Sequence, residues 1–232
     1  FNQPIFCPNA TWDPVGTVLI GSSTLSGSTL TAFVDTFDNL YVTSTDFQVA
    51  QLWANGSTRS SRNFSTGPNA PSAVFVDTNG HVYVDNGENS NRRVDKYAPN
   101  STTPTPAMFV DGRCIFLFID ASDNLYCSMA DFHRVNINQT TVVAGTGTSG
   151  SAAQMLNGPR GIFVTSTLTL YVADAFNDRI QMYQPGQRNG TTIIGNGSAV
   201  SLLLSRPVGI ILDGSGYLFI ADAWSHRIIG SG

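Results

Sequence analysis

The stretch "GIFVTSTLTLYVADAFNDRIQMY" (Gly161–Tyr183) contains the pattern that decides the fold. A short apolar run leads to Thr165 and a turn, and Tyr171 follows six residues after Thr165. Arg179 then precedes a second apolar run. Short β-branched and aromatic runs separated by turn residues, without a helical period, predict β-strands and almost no helix.

The same pattern occurs in four other stretches, Thr31–Trp53, Ala73–Tyr97, Phe116–Ile137 and Gly209–Gly230. The anchor residues of the five stretches are Asp35, Asp77, Asp120, Thr165 and Asp213, and consecutive anchors lie 42 to 48 residues apart. A β-rich repeat of this length is typical of a β-propeller, in which each repeat forms a four-stranded blade. We name the strands a to d from the centre outward, with the apolar run as strand a and the anchor Asp or Thr opening the a–b turn.

Two segments, "PRGIFVTSTLTLYVADAFNDRIQ" (Pro159–Gln181) and "PVGIILDGSGYLFIADAWSHRI" (Pro207–Ile228), resemble the NHL repeat family. The resemblance extends over nearly the whole chain and is strongest in these last two copies. It implies an all-β propeller, most often of six blades.

The repeats are predicted near 29–66, 71–110, 114–145, 159–195 and 207–232, within a single domain over 1–232. The fifth repeat has strands a, b and c but no strand d. The segment "TWDPVGTVLIGSS" (Thr11–Ser23) is similar to the end of the fourth repeat. We therefore expect Gly16–Gly21 to supply strand d of the last blade and to close a five-bladed ring. A six-bladed ring, or a partial ring cut from a longer repeat protein, is the alternative.

The charge content narrows the possible partners. Charged residues make up only 12% of the chain, against about 25% in typical domains, and the net charge is −4. This balance argues against binding to nucleic acid or to an anionic membrane surface. No apolar run reaches the ~18 residues of a membrane span.

Asparagine-linked glycosylation is predicted from seven N-x-[ST] sequons, roughly twice as many as composition alone predicts. They are at Asn9, Asn55, Asn63, Asn100, Asn138, Asn189 and Asn196. As a set they favour a secreted, extracellular glycoprotein, although Asn-Gly-Ser is also good turn chemistry.

The three cysteines, Cys7, Cys114 and Cys127, show no CxxC spacing for zinc. Cys127 occupies a strand position and is interpreted as a small buried hydrophobic residue. Cys7 is the best candidate for a disulfide, either to Cys114 or to a cysteine outside this segment.

The b–c loops are the predicted binding face, because aromatic side chains with carboxylates and amides suit contact with protein or carbohydrate. The candidates are Phe47, Glu88, Phe132, His133, Phe176, Trp224 and His226. Asp174 with Arg179, and Asp222 with Arg227, are interpreted as structural pairs between blades.

Catalysis is not expected. Propeller relatives include calcium lactonases and an amidating lyase of NHL type, and the lyase resemblance implies zinc held by histidines near the channel. This chain has only His81, His133 and His226, and His81 is predicted on the opposite face from the other two. Strand a is apolar in every repeat and offers no calcium ligands. We predict no metal and no cofactor.

The sequence thus favours a non-catalytic, N-glycosylated extracellular propeller with a structural or adhesive role, such as a self-assembling coat or fibre subunit. The alternative is a soluble protein- or carbohydrate-binding module, and a propeller hydrolase or lyase ranks third. Expected partners are another protein or copies of the same chain.

Overall fold

The structure is a computed structural model that describes residues 29–44, 48–65, 70–86, 92–200 and 202–231. These residues form five antiparallel sheets, each a meander of consecutive strands. Four sheets have four strands, and the fifth has three among the described residues. The prediction of an all-β propeller with five blades is confirmed. The predicted closing strand, Gly16–Gly21, lies outside the described residues.

The blades follow one another along the chain. Blade 1 contains β1 (Thr29–Val34), β2 (Leu40–Ser44), β3 (Val49–Trp53) and β4 (Arg62–Ser65). Blade 2 contains β5 (Val74–Val76), β6 (Val82–Asn86), β7 (Arg93–Tyr97) and β8 (Thr105–Phe109). Blade 3 contains β9 (Phe116–Ile119), β10 (Leu125–Met129), β11 (Arg134–Ile137) and β12 (Thr141–Gly145). Blade 4 contains β13 (Pro159–Val164), β14 (Leu170–Asp174), β15 (Arg179–Tyr183) and β16 (Thr191–Gly195). Blade 5 contains β17 (Pro207–Leu212), β18 (Leu218–Asp222) and β19 (Arg227–Ser231).

The anchor aspartates build the a–b turns. The Asp120 carboxylate accepts hydrogen bonds from the N–H groups of Ser122 and Asn124 and from the Asn124 side-chain amide, at 2.8 to 3.0 Å. It also accepts a bond of 3.1 Å from the Tyr126 hydroxyl. Asp35 and Asp77 have equivalent partners. The six-residue spacing from anchor to tyrosine therefore reflects a hydrogen bond in the first three blades.

The inner strands β1, β5, β9, β13 and β17 lie side by side around the axis. Neighbouring Phe side chains contact one another along this series, with ring centroids 4.8 Å apart for Phe33–Phe75, 5.4 Å for Phe75–Phe118 and 5.2 Å for Phe118–Phe163. Blades 4 and 5 approach so closely that a Cβ at Gly161 would lie 2.8 Å from the Cα of Gly209. Apolar packing between blades thus continues from the first blade to the last.

The disulfide differs from the sequence prediction. Cys114 is bonded to Cys127, which lies on β10 of the same blade, and both residues are fully buried. The Cα atoms are 5.3 Å apart, within the usual span of a disulfide, because Cys114 precedes β9 and runs beside β10. The expected pairing of Cys114 with Cys7 is therefore wrong, and Cys127 is buried as expected but is not a free thiol. Cys7 lies outside the described residues.

Antiparallel meanders place successive turns at alternate ends of a blade. The a–b and c–d turns therefore share one end of the propeller, which we call the a–b face. The b–c turns and the d–a connections share the other end, which we call the b–c face.

Candidate functional site

A cavity of about 850 Å³ opens along the propeller axis. We call it the axial cleft. Its wall includes, from each inner strand, the residue two positions before the anchor Asp or Thr: Phe33, Phe75, Phe118, Phe163 and Ile211. A space of this size lined by apolar and aromatic side chains has the character of a small-molecule site.

The mouth of the cleft lies on the a–b face, where turn residues line it. Asp35, Asp77 and Asp120 contribute there, but their carboxylates already accept hydrogen bonds within their turns. Asp38 and Asp123 also line the mouth, and both are exposed at turn tips with positive φ. Every charged side chain that lines the cleft in the described part of the chain is an aspartate. The mouth therefore favours a neutral or cationic ligand over an anion.

Among the described residues, one side of the cleft is open between the last blade and the first. Ala32 of blade 1 and Ile228 of blade 5 both line the cavity. The extensive strand contacts that join β13 to β17 have no equal between β17 and β1. Ile228 is 70% exposed, whereas Ile180, at the same position of blade 4, is fully buried against blade 5. Blade 5 thus presents to the cleft an apolar face that none of the other described strands covers, and we call it the uncovered face of blade 5.

On the b–c face, hydrogen bonds run from one blade to the next. Short 3-10 turns at Ala130–Phe132, Ala175–Asn177 and Ala223–Ser225 each end in a residue with left-handed backbone, His133, Asp178 or His226. Nδ1 of His133 accepts a bond of 3.1 Å from the N–H of Gly158, which enters blade 4. The Asp178 carboxylate accepts one of 2.8 Å from the N–H of Arg206, which enters blade 5. These two side chains fasten consecutive blades.

The aromatic residues of the b–c turns cover the d–a connections. Phe176 lies over Gly158, where a Cβ would come within 2.6 Å of its ring. The Arg206 guanidinium lies 4.7 Å from the Phe176 ring and 3.7 Å from the Trp224 ring. Phe176 and Trp224 still expose 44% and 61% of their surface. They combine a structural role with an exposed aromatic surface.

The predicted Asp–Arg pairs exist, but within blades rather than between them. Nε of Arg179 bonds to Asp174 and Nε of Arg227 to Asp222, each at 2.8 Å, across neighbouring strands. The prediction of inter-blade pairs is therefore wrong, because b–c hairpin register places each Arg opposite its own blade's Asp. The Arg179 guanidinium also donates to carbonyls of the preceding connection, at Ser151, Ala152 and Met155.

The two aspartates of these pairs differ in their titration. Burial raises the pKa of Asp174, and this effect exceeds the opposing hydrogen bonds from Asn157, Asn177 and Arg179. Burial also opposes the charge of Asp222, but its hydrogen bonds outweigh burial and lower its pKa. Arg227 is much more exposed than Arg179.

The other sequence-predicted residues fall into three groups. Phe47, Glu88, Asn9 and Cys7 lie outside the described residues. Of the described binding-face candidates, none lines the axial cleft, because Phe132, His133, Phe176, Trp224 and His226 all belong to the opposite face. His81 lies at an a–b turn, where its Nδ1 is 2.8 Å from the Asp77 carboxylate. In the described ranges no cluster of three or more His, Cys, Asp or Glu side chains is placed to hold a metal ion.

The cleft itself is the feature that sequence reasoning missed. The signal was a Phe at the same position of strand a in four of the five repeats. The sequence shows only that strand a is apolar, and the arrangement of the blades shows that these rings border an open space.

No protein-family model and no curated protein matches the chain. Solved structures do resemble it. An auxiliary nutrient binding protein from Bacteroides ovatus superposes with a TM-score of 0.71 at 16% identity, over 93% of this chain and 61% of that one. A structural genomics protein of unknown function from Bacteroides thetaiotaomicron gives 0.70 at 16% identity, over 88% and 58%.

An inactive H270A virginiamycin B lyase from Staphylococcus aureus, solved with quinupristin, gives a TM-score of 0.60 at 12% identity, over 87% of this chain and 69% of that one. The chain thus spans about three-fifths of the length of the first two structures and more of the third. At such identities the likeness establishes the propeller fold alone. No helix among the described residues has the length and hydropathy to cross a bilayer.

Proposed function

We propose that this chain is a non-catalytic extracellular binding module of NHL type, whose axial cleft holds the apolar part of a neutral or cationic ligand. The observation that carries the proposal is the 850 Å³ cleft with an apolar wall and an aspartate-lined mouth. Apolar ligands gain about 25 cal/mol for each Å² removed from water, so such a wall supplies affinity without catalytic groups. The nutrient-binding proteins of similar fold are consistent with a binding role.

Secretion and N-glycosylation form part of the same proposal. The Cys114–Cys127 disulfide supports them, because disulfides persist in oxidising compartments outside the cytosol. The six described sequon asparagines, Asn55, Asn63, Asn100, Asn138, Asn189 and Asn196, all have exposed side chains.

The test fills the cleft without removing any core contact. Ala32 is exposed and lines the cavity, so Ala32→Trp places a large side chain in the open space. We expect wild-type protein to enhance the fluorescence of the neutral apolar dye Nile red, and Ala32→Trp to reduce the apparent affinity at least tenfold. Thr58→Trp, at an exposed position in the c–d turn of the same blade, is the matched control and should bind the dye normally.

The charge of the mouth gives the second readout. The anionic dye 1-anilinonaphthalene-8-sulfonate should bind more weakly than Nile red. The double variant Asp38→Asn with Asp123→Asn should reduce the difference in affinity between the two dyes. Equal dye binding by wild type, Ala32→Trp and Thr58→Trp would contradict the cleft as the site.

A structural, self-assembling role is the second candidate, and the uncovered face of blade 5 favours it. Ile228 and Ile211 expose 70% and 38% of their surface there, although their equivalents in blade 4, Ile180 and Phe163, are buried against blade 5. This face continues the series of blade–blade interfaces, so a blade from a second copy of the chain is the occupant of matching chemistry. Exposed apolar patches of this kind commonly mark protein contacts.

A further inference from the structure

Four of the sequons lie in the same loop, the c–d turn, of four consecutive blades. Asn55, Asn100, Asn138 and Asn189 each lie in the c–d turn of their blade, within 54–61, 98–104, 138–140 and 184–190. These turns differ in length and sequence, so the position is not a by-product of one repeated motif.

The four turns present their asparagines to solvent. All four side chains are exposed. Asn100 and Asn138 have φ of 63° and 41°, a left-handed conformation that Asn tolerates well. Among the described residues, the Asn138 side chain donates one amide hydrogen to Asn124 and accepts a bond from the N–H of Leu125, so substitution of the other amide hydrogen leaves both bonds in place.

The c–d turns lie on the a–b face, at the same end as the mouth of the axial cleft. Strands in a sheet are about 4.8 Å apart, so each c–d turn is roughly 10 Å from the a–b turn of its blade. An oligosaccharide attached there is large enough to reach the mouth. The other two described sequons lie elsewhere, since Asn63 is within the outer strand β4 and Asn196 is in a d–a connection on the b–c face.

We infer that Asn55, Asn100, Asn138 and Asn189 carry N-linked glycans that form a crown around the mouth of the axial cleft. This inference rests on the proposal that the chain is a secreted glycoprotein. It adds where the glycans lie and what they do. The crown admits a small ligand to the cleft and excludes macromolecules from the a–b face. Contacts with other proteins are then left to the b–c face and to the uncovered face of blade 5.

Site occupancy is the first measurement. The full chain is secreted from a glycosylating host and deglycosylated enzymatically in heavy-oxygen water, so that each occupied Asn becomes a labelled Asp detectable by peptide mass spectrometry. We expect the label at all four c–d asparagines. Labelled sites that leave out the c–d turns would overturn the crown while sparing the glycoprotein proposal, and no labelled site at all would overturn both.

Shielding is the second measurement. In a Cys7→Ser background, Thr78→Cys places a thiol at the mouth and Asp131→Cys places one on the b–c face, both at exposed positions. We expect a polymer-linked maleimide to react several-fold more slowly at position 78 than a small maleimide does, and the two reagents to react alike at position 131.

The control removes the glycans but keeps the asparagines that the turns use. Ser57→Ala, Thr102→Ala, Thr140→Ala and Thr191→Ala abolish the four sequons at their third position. This quadruple variant should restore rapid polymer labelling at position 78, whereas Ser65→Ala with Ser198→Ala, which removes the sequons of Asn63 and Asn196, should not. Slow labelling that persists in the quadruple variant would show that the glycans are not the shield. Nile red binding is measured in parallel, so that loss of the cleft proposal is distinguished from loss of the crown.

Discussion

At the scale of single residues, the same Asp–Arg pair behaves differently in blades 4 and 5. Both aspartates are fully buried and bond to an Arg Nε at 2.8 Å. Around Arg179 the preceding connection closes the site from water, while Arg227 keeps 45% of its side chain exposed. Burial therefore raises the pKa of Asp174, and hydrogen bonding lowers that of Asp222.

This difference predicts opposite pH dependence for two matched variants. The lowered pKa of Asp222 means that its charge stabilises the fold above the unfolded value of about 3.9, and that this contribution is lost as pH falls through the folded pKa. The stability gap between wild type and Asp222→Asn should therefore shrink on acidification. The raised pKa of Asp174 means that the folded state binds the proton more tightly than the unfolded state does. The free energy of unfolding of wild type should therefore rise relative to that of Asp174→Asn as pH falls toward about 3.9.

Urea unfolding of both variants and wild type between neutral pH and the acid limit checks this pair of signs. If the free energies of unfolding of the two variants changed with pH in the same way relative to wild type, the two sites would titrate alike.

At the scale of elements, the a–b hairpin shows how one side chain fixes a turn. Asp120 accepts four hydrogen bonds, including one from Tyr126. In blade 4, Thr165 replaces the aspartate, and its hydroxyl accepts a bond of 3.1 Å from the N–H of Thr169 and lies 2.9 Å from the Thr167 hydroxyl. The two hairpins thus have the same shape with different numbers of polar contacts.

Substitution by alanine should expose this difference. Asp120→Ala leaves several donors unpaired and should lower the free energy of unfolding by about 2 to 3 kcal/mol, whereas Thr165→Ala should cost about 1 kcal/mol. Denaturant unfolding measures both values. Equal losses would mean that the turn is held by packing rather than by the carboxylate.

The repeated sequence pattern was sufficient to predict the blades, because the positions of strands, turns and anchor residues recur in each copy. Asp120 and Tyr126, for example, are six residues apart and meet within one hairpin. The placement of the Asp174–Arg179 pair between blades and the partner of Cys114 were predicted wrongly, since each depends on the register between neighbouring strands, which spacing alone does not fix. The axial cleft depends on the angle between whole blades, and the local sequence pattern of a repeat does not specify that angle.

At the scale of the whole molecule, blade 5 ends the described series with an apolar face that its predecessors bury. Ile228 pairs with Ala221 as Ile180 pairs with Ala173, yet only Ile180 is covered. Burying an isoleucine stabilises a contact by about 1.5 to 3 kcal/mol. The face is therefore adequate for association between copies.

If a second copy covers this face, sedimentation velocity should show a larger species as protein concentration rises. Ile228→Lys should weaken that association about tenfold or more, in line with the loss of one buried side chain. Thr58→Lys, which adds the same charge at an exposed turn, should not change it. A monomer at every concentration would leave the face without a self-association role and would favour the binding module.

On the b–c face, two side chains accept hydrogen bonds from backbone N–H groups at the start of the following blade. His133 and Asp178 are acceptors in the earlier blade, and Gly158 and Arg206 are donors at the start of the later one. A growing polypeptide thus completes each acceptor before the matching donor leaves the ribosome. With synthesis at roughly 5 to 20 residues per second, each new blade emerges within seconds onto a finished neighbour. Assembly of blades 3 to 5 in the order of translation follows, with blades 3 and 4 each serving as the template for the next blade.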